Sequence, residues 1–161
     1  ESKNILNSLM PKLESLSDKN TEENVQIFKG KKGILTAYDI LLDSLNKNDE
    51  VKYFFSNKKE DTAALKEFYI DYPQFQTKIE DYYKTKNIIW KGIGPKEGAV
   101  DPKWKYMKVK TTVLPTPGNW DITKNYVLII SWIGIPTGIL IKSQEISKYL
   151  LNYFDTIWNM K

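Results

Sequence analysis

Residues 125–161, the last of this sequence, read NYVLIISWIGIPTGILIKSQEISKYLLNYFDTIWNMK. Two short runs rich in β-branched residues, Tyr126 to Trp132 and Thr137 to Ile141, flank the Gly- and Pro-containing segment 133–136, a pattern typical of two strands joined by a turn. Ser143 then precedes a helix whose apolar residues recur every three or four positions: Ile146, Tyr149, Leu150, Tyr153, Phe154, Ile157 and Trp158. The stretch predicts a chain that ends by docking a helix on a sheet, and it carries no evident catalytic group.

The composition excludes several kinds of site. The 161 residues suffice for one domain with an ordinary core, and they include no cysteine and no histidine. Disulfides, thiol catalysis, zinc–thiolate sites and every nucleophile activated by histidine are therefore excluded. All 24 basic residues are lysine, so arginine clamps on phosphate or carboxylate are excluded as well. The sequence predicts no catalytic residue, no metal ligand and no cofactor.

Charge and hydropathy predict the surroundings of the protein. The net charge is +4, and the lysines are interleaved with acidic residues, which favours a solvated surface of mixed charge over a dedicated nucleic-acid face. No apolar run approaches the roughly 20 residues of a membrane span, and no signal peptide is visible. We expect a cytoplasmic location. Because the first residue is Glu1, we also expect that the numbering starts within a longer polypeptide.

The first 20 residues form a separate unit in the predicted organisation, with an α/β domain over residues 21–161. Leucines alternate at spacings of three and four, as in a heptad pattern: Leu6, Leu9, Leu13 and Leu16. One interpretation is the end of a longer dimerising linker helix, which would make the protein a homodimer. The other is a helix packed on its own domain, since two heptads are too few for an autonomous coiled coil.

The remaining segments predict a single α/β domain. A strand around Val25 to Phe28, a helix from Gly33 to Leu45 and a strand from Val51 form a strand–helix–strand unit, which in one sheet implies a parallel crossover. Helical patterns follow in 61–72 and near Tyr82, then strands at 87–91 and 106–114, with 92–103 irregular. The predicted fold is a mixed sheet of about six strands flanked by helices.

Two groups of residues are candidates for ligand binding. Gly30, Lys31, Lys32 and Gly33 lie at a strand-to-helix junction, where free N–H groups and two lysines would attract an anion. Four aromatic residues flank the irregular segment and would line a pocket for a flat or sugar-like ligand: Trp90, Trp104, Tyr106 and Trp120. The structural alternatives are turn glycines with solvated lysines, and aromatic side chains that serve as core.

Two catalytic patterns are weak. Ser56-Asn57-Lys58-Lys59 matches the S-x-x-K of serine acyl enzymes, but no S-D-N accompanies it. Acidic pairs such as Glu80-Asp81 fall where exposed helix faces or loops are predicted, which favours solubility over acid–base chemistry. A carboxylate hydrolase is therefore a remote alternative.

The opening and closing segments resemble the C-terminal domain of TrmB-like archaeal and bacterial transcriptional regulators. In that family a strand, two glycines and a helix open the domain, and a strand pair followed by a helix with Phe-x-x-x-Trp closes it. The matching positions here are Phe28, Gly30, Gly33, Ile130, Ser131, Ile141, Ser143, Phe154 and Trp158. Residues 58–118 match only loosely.

The resemblance implies a phospholipase-D-like fold without phospholipase D chemistry. The enzymes of that fold use an H-x-K-x(4)-D motif, and this chain contains no histidine. It further implies an upstream winged helix as the only DNA-binding part, dimerisation through the linker helix, and a small-molecule or other input sensed by the C-terminal domain. The two candidate sites above predict that such an effector is sugar-like or anionic. The expected function is ligand sensing and dimerisation within a regulator. The alternative is a stand-alone lysine-rich module that binds nucleic acid or protein.

Overall fold

The computed structural model describes residues 4–5, 7–11, 23–96 and 106–161. Residues 4–5 and 7–11 are helical. The remaining described elements follow in chain order: β1 (Asn24–Lys29), α1 (Gly30–Asp43), β2 (Glu50–Phe54), α2 (Lys59–Asp71), α3 (Pro73–Lys86), β3 (Ile89–Pro95), β4 (Met107–Thr112), β5 (Asn119–Ile122), β6 (Tyr126–Ser131), β7 (Thr137–Lys142) and α4 (Gln144–Trp158). The predicted closing hairpin and helix are confirmed.

The described strands form one mixed sheet in the order β1-β7-β6-β5-β2-β3-β4. The pairs β1–β7, β7–β6, β6–β5 and β5–β2 are antiparallel, whereas β2–β3 and β3–β4 are parallel. Strands β1 and β2 therefore run parallel, as the strand–helix–strand pattern predicts, but three strands lie between them. The predicted mixed sheet flanked by helices is confirmed, with seven strands among the described residues.

Helices cover both faces of the sheet because its central strands are apolar on both sides. Helices α1, α2 and α3 pack on one face, around Leu41, Val51 and Leu128. Helix α4 packs on the opposite face, around Phe54, Val127 and Phe154. Adjacent residues of a strand point to opposite faces, so Val127 and Leu128 enter different cores. Fully buried runs of this kind are typical of a sheet sandwiched between helix layers.

Helix α4 begins where the sequence predicts but buries a narrower face than the predicted apolar stripe. The hydroxyl of Ser143 accepts a 3.1 Å hydrogen bond from the Ile146 amide and caps the helix. Phe154 and Ile157 are buried, whereas Tyr149 and Tyr153 are 64% and 47% exposed. The apolar stripe read from the sequence is therefore wider than the face that contacts the sheet.

One sequence-based boundary is wrong. The glycines and proline after Lys91 predict irregular structure for 92–103, yet β3 continues to Pro95. Glycine disfavours strands mainly because it has no side chain to pack. Gly92 and Gly94 are tolerated here because the rings of Tyr53 and Phe55 occupy the space beside their backbone.

Candidate functional site

A cavity of about 390 Å³ lies on the three-helix face of the sheet. Its walls come from α2 and α3 on one side and from β2, β3, β4 and β5 on the other. Helices α2 and α3 are joined by a single residue, Tyr72, and Pro73 begins the second helix. The two helices thus form a tight hairpin over the parallel end of the sheet, and the cavity is the space beneath it.

Aromatic rings form much of the cavity wall. The ring centroids of Tyr53 and Trp90 lie 6.1 Å apart, and those of Tyr53 and Phe55 lie 6.0 Å apart. From the helix side, the Phe75 ring lies 4.6 Å from that of Tyr38 and 5.8 Å from that of Tyr69. Ring contacts of this kind join β2 to β3 on the sheet side of the cavity and the three helices on the other side, and the cavity is open in this structure.

Two glycines of β3 create space for this wall. A Cβ atom on Gly92 would lie 2.3 Å from Cζ of Tyr53, and one on Gly94 would lie 2.0 Å from Cζ of Phe55. Distances this short are not compatible with a side chain at either position. The rings of Tyr53 and Phe55 therefore lie directly over the β3 backbone, which widens the space between the sheet and α2.

Asp121 supplies a buried carboxyl group to the cavity. It lies on β5 opposite Leu128 of β6 and Tyr53 of β2, and it is 6% exposed. The Tyr38 hydroxyl donates a 2.9 Å hydrogen bond to its Oδ2 atom. Burial raises the pKa of Asp121 to about 7, although the hydrogen bond from Tyr38 acts in the opposite direction. The carboxyl group therefore changes protonation state near neutral pH.

Trp90 supplies a buried hydrogen-bond donor. Its side chain lines the cavity and is 5% exposed, and within the described residues its Nε1 atom has no hydrogen-bond partner. A buried donor without a partner costs about 1–3 kcal/mol. Such groups are rare in native proteins, and an unplaced ligand or water is one of the ordinary explanations.

The tyrosines of the cavity remain neutral under physiological conditions. Burial is the largest cause that raises the pKa values of Tyr38, Tyr53 and Tyr69 above the usual range. Burial also raises the pKa of Tyr106 to about 12. Their hydroxyl groups are therefore hydrogen-bond donors and acceptors and not bases.

Polar side chains gather where β2 ends and β5 begins. The Ser56 amide donates a 3.2 Å hydrogen bond to Oδ1 of Asn119, which fixes the segment that follows β2. Asp61, Thr62 and Lys66 of α2 also line the cavity. This edge is polar, whereas the interior is aromatic and aliphatic. The arrangement matches the usual anatomy of a small-molecule site, with a few polar groups in an apolar enclosure.

The structure brings together two of the four predicted aromatic residues. Trp90 and Tyr106 line the cavity. Trp120 precedes Asp121 on β5 and therefore faces the opposite side of the sheet, where it packs near Phe54 beneath α4. Trp104 lies outside the described residues.

The predicted Gly-Lys-Lys-Gly site lies elsewhere and has other contacts. Gly30 has a φ of 75° and begins α1, its amide donating a 2.7 Å hydrogen bond to the Pro136 carbonyl. Lys31 Nζ lies 2.7 Å from Asp71 and 3.3 Å from Glu67. Lys32 is exposed, and Gly33 packs against Phe28. None of the four lines the cavity.

The predicted dimerisation residues are only partly described. Leu9 is 46% exposed, and its neighbours Ile5 and Met10 are 59% and 49% exposed. Leu6, Leu13 and Leu16 lie outside the described residues, as does the predicted boundary after residue 20. The helical residues 7–11 thus present apolar side chains to solvent in the single chain.

Sequence reasoning missed the most unusual group of the cavity. Asp121 lies in the run Asn119 to Ile122, between two large apolar residues, in a strand of only four residues. The sequence does show an acidic residue, Asp121, within a short apolar strand, which is a signal of a buried carboxyl group. It could be recognised only once β5 was known to lie in the centre of the sheet.

The described residues bear on metals and membranes as well. No group of three or more acidic side chains within them is arranged to hold a metal ion. None of the helices in the described ranges is long and apolar enough to cross a bilayer.

Comparison with solved structures identifies the fold. NucT from Helicobacter pylori superposes with a TM-score of 0.56 and 11% identity, covering 85% of this chain and 96% of that chain. Nuc from Salmonella typhimurium, a phospholipase D family member, superposes with a TM-score of 0.53 and 10% identity, covering 86% of this chain and 95% of its own.

An archaeal chromatin protein shares the fold over nearly the whole chain. TrmBL2, whose structure shows a novel mode of DNA binding, superposes with a TM-score of 0.51 and 13% identity. The match covers 99% of this chain but 59% of TrmBL2. The sequence matches no protein-family profile and no curated protein. The chain has a phospholipase-D-like fold related to that of TrmB-like proteins, as the sequence resemblance predicts.

Proposed function

We propose that this chain is the ligand-sensing and dimerisation domain of a TrmB-like transcriptional regulator. A small molecule occupies the cavity between the sheet and the α2–α3 hairpin. Its binding favours one of two arrangements of the domain and thereby alters the geometry of a homodimer. DNA is bound by a winged helix that precedes these residues in the full-length protein.

The observation that carries the proposal is the indole N–H of Trp90, which has no hydrogen-bond partner among the described residues and lies in a cavity. A fold selected only for stability would fill a space of about 390 Å³ with side chains. Here the chain instead keeps two glycines beneath Tyr53 and Phe55, a buried carboxyl group and an unpaired donor. All of these features disfavour folding, and all are explained by a ligand.

Tyr38 provides a route from the cavity to the rest of the domain. It lies on α1, donates a hydrogen bond to Asp121 and packs on Phe75 of α3. Lys31 of α1 also pairs with Asp71 of α2, and Lys78 of α3 pairs with Asp39 of α1 at 2.8 Å. A ligand that displaces the α2–α3 hairpin therefore displaces α1, which follows β1 directly. Such a shift needs different affinities for the two arrangements.

Dimerisation rests on the exposed apolar side chains near the start of the chain. Ile5, Leu9 and Met10 face solvent in the single chain. Exposed apolar helix faces are typical of surfaces that bind a second helix. Sedimentation of the protein at micromolar concentration tests this part of the proposal, and a strict monomer would contradict it. Leu9→Asp weakens association if the stripe is intermolecular, and leaves the unfolding midpoint of the monomer unchanged.

The domain is proposed to be non-catalytic, although two of the structural neighbours are phospholipase D-type proteins. The enzymes of that fold use an H-x-K-x(4)-D motif, and this chain contains no histidine. Hydrolysis of bis-p-nitrophenyl phosphate, with and without magnesium, tests this assignment. Turnover that is abolished by Asp121→Asn would contradict it.

Ligand sensing is tested by filling the cavity. Val109 lines the cavity on β4, so Val109→Phe places a ring in the space. Val113, which is 84% exposed, allows the matched control Val113→Phe. We expect small aromatic compounds at millimolar concentration to raise the melting temperature of the wild type and the control but not that of Val109→Phe. Equal responses in all three proteins would contradict the proposal.

A further inference from the structure

We propose that the cavity selects a small organic cation, with its ammonium group on Asp121 and its apolar body between the aromatic side chains. The inference rests on the proposed function, because it names the class of ligand that the same cavity binds. It differs from the sugar-like or anionic effector that the sequence suggests.

The charges that line the cavity favour a cation. Among the described residues, two carboxylate side chains line it, Asp121 and Asp61, both less than one-tenth exposed, and one lysine, Lys66, which is exposed. A buried anion in this enclosure would face two carboxyl groups, and like charges at close range oppose each other strongly in a low-dielectric site. A cation would be attracted by the same two groups.

Asp121 lacks a cationic partner within the described residues. The described lysines that form ion pairs use other carboxylates: Lys31 with Asp71, Lys52 with Asp155, Lys78 with Asp39, Lys91 with Glu50 and Lys124 with Asp49. Buried carboxylates in proteins are ordinarily paired or neutralised. Among the described residues, Asp121 receives the hydrogen bond from Tyr38 and has no ion-pair partner, so a cationic ligand would supply the counter-charge of its ionised form.

The walls suit an ammonium group that carries an apolar body. The rings of Tyr53, Trp90, Phe75 and Tyr69 surround the space, and Tyr38 lies beside the carboxyl group. Aromatic faces attract cations most strongly when water is excluded. A neutral ligand, in contrast, would supply no counter-charge to the ionised Asp121 carboxylate.

Trp90 adds a requirement at the opposite end. Its unpartnered Nε1 is a donor only, so the ligand must present an acceptor such as a hydroxyl or carbonyl oxygen. Trp90 lies on β3 and Asp121 on β5, with β2 between them. Asp121 is level with Gly92, and Trp90 lies two residues away along β3. Two strand spacings and this offset separate the two backbones by about 12 Å. The inferred ligand therefore carries an ammonium group and an oxygen acceptor at opposite ends of an apolar body.

Cation binding predicts a characteristic pH dependence. Asp121 binds a cation only when it is ionised, and burial raises its pKa to about 7. The other titratable groups that line the cavity are Tyr38 from α1, Tyr53 from β2, Asp61, Lys66 and Tyr69 from α2, and Tyr106 before β4; α3 contributes Phe75, Gln76 and Ile79. Because the pKa values of these tyrosines are raised, they stay neutral from pH 5 to 8.

The experiment compares four compounds of similar size by isothermal titration calorimetry on the intact protein. Tyramine carries an ammonium group and a phenolic oxygen, phenethylamine lacks the oxygen, tyrosol is neutral, and 4-hydroxyphenylpropionate is an anion. We expect tyramine to bind most tightly, phenethylamine more weakly, and the neutral and anionic compounds weakest. For tyramine, affinity should rise about tenfold per pH unit between pH 5 and 6.5 and level off above pH 7.5.

Two variants assign the binding to the cavity. Asp121→Asn keeps the size of the side chain and an acceptor for Tyr38 but removes the charge, and we expect tyramine affinity to fall on the order of 100-fold and the pH slope to vanish. Asp81→Asn, the same chemical change at an exposed position of α3 outside the cavity, is the matched control and should leave the affinity for tyramine unchanged. Trp90→Phe should remove the advantage of tyramine over phenethylamine.

The outcomes separate the inference from the proposed function. Tyrosol or 4-hydroxyphenylpropionate could bind as tightly as tyramine and lose this binding in Val109→Phe. That result overturns the cation inference, while ligand sensing stands. Tyramine affinity that is unchanged in Asp121→Asn also overturns the inference. If none of the four compounds binds the wild type, or if their binding is unchanged in Val109→Phe, both the cation inference and the proposed ligand sensing are overturned.

Discussion

The hydroxyl of Tyr38 donates a 2.9 Å hydrogen bond to Oδ2 of Asp121, joining residues 83 positions apart in the chain. It links helix α1 to β5, near the middle of the sheet, through a fully enclosed contact. A buried carboxyl group beside a neutral phenol is satisfied in either protonation state, because the phenol continues to donate. The pair therefore keeps its geometry when Asp121 titrates, and the free energy of unfolding depends on the charge of Asp121.

Asp121→Asn should change how stability depends on pH. The pKa of Asp121 in the folded state is raised to about 7, above its unfolded value, so the folded protein binds more protons between pH 4 and 7. The wild type should therefore lose stability as pH rises through that window, by up to about 4 kcal/mol, and remain level above it. The variant should lack this decline.

Urea unfolding at half-unit steps from pH 4.5 to 8.5 measures the difference. Asp61→Asn serves as a control with the same chemical change in another part of the cavity. Parallel stability curves for the wild type and Asp121→Asn would show that the carboxyl group is not kept in its neutral form by burial.

Gly92→Ala should destabilise the protein through the Tyr53 ring. The new Cβ atom would lie 2.3 Å from Cζ of Tyr53, and overpacking of this kind costs about 1–3 kcal/mol. Tyr53→Val removes the atoms that clash. In that background the Gly92→Ala substitution should cost less than about 0.5 kcal/mol, so a double-mutant cycle should yield a coupling energy of at least about 0.5 kcal/mol. If the effects of Gly92→Ala and Tyr53→Val on the free energy of unfolding are additive, the cost of Gly92→Ala arises in the β3 backbone and not from the Tyr53 ring.

Two buried serines of the last helix should respond in opposite ways to replacement by alanine. The Ser143 hydroxyl accepts a hydrogen bond from the Ile146 amide and donates a 2.8 Å bond to Glu23, so Ser143→Ala should cost about 1–2 kcal/mol. Ser147 is fully buried, and its hydroxyl has no partner within the described residues. Ser147→Ala should be neutral or slightly stabilising.

Thermal unfolding of the two serine variants under the same conditions checks this contrast. Equal destabilisation by both substitutions would indicate that helix propensity or packing, and not capping, governs the start of α4. Ser143→Thr, which retains the capping oxygen, should recover most of the loss.

The isolated chain should bind duplex DNA weakly. Lys31, Lys52, Lys78, Lys91 and Lys124 are each neutralised locally by a carboxylate, and the net charge of +4 leaves only a small excess of positive charge for phosphates. We expect a dissociation constant near 10⁻⁴ M or weaker at about 150 mM salt, in the range of non-specific binding. Fluorescence anisotropy with a labelled 20-base-pair duplex, titrated at several salt concentrations, measures it. Binding near 10⁻⁷ M with a steep salt dependence would instead favour the nucleic-acid-binding alternative.

Parts of this fold were predictable because they depend on local chemistry. The β-branched runs of β6 and β7, the turn between them and the Ser143 cap are read from neighbours in sequence. The N-terminal limits of β3 and its extension to Pro95 were not, because Gly92 and Gly94 look like loop residues until Tyr53 and Phe55 lie over them. Contacts of that kind join positions almost 40 residues apart.

The candidate site shows the same division. The sequence by itself determined that the chain has no histidine or cysteine chemistry, and it predicted a mixed α/β sheet. It also predicted a pocket lined by Trp90, Trp104, Tyr106 and Trp120, with core packing as the alternative, and Trp90 and Tyr106 line the cavity. Only the tertiary structure decided that Trp120 faces away and that Asp121 faces in, since strand alternation assigns sides only after one side is known to hold the helices. Burial and hydrogen bonding of Asp121 depend on α1 and β5 meeting in space, and no local pattern encodes such a meeting.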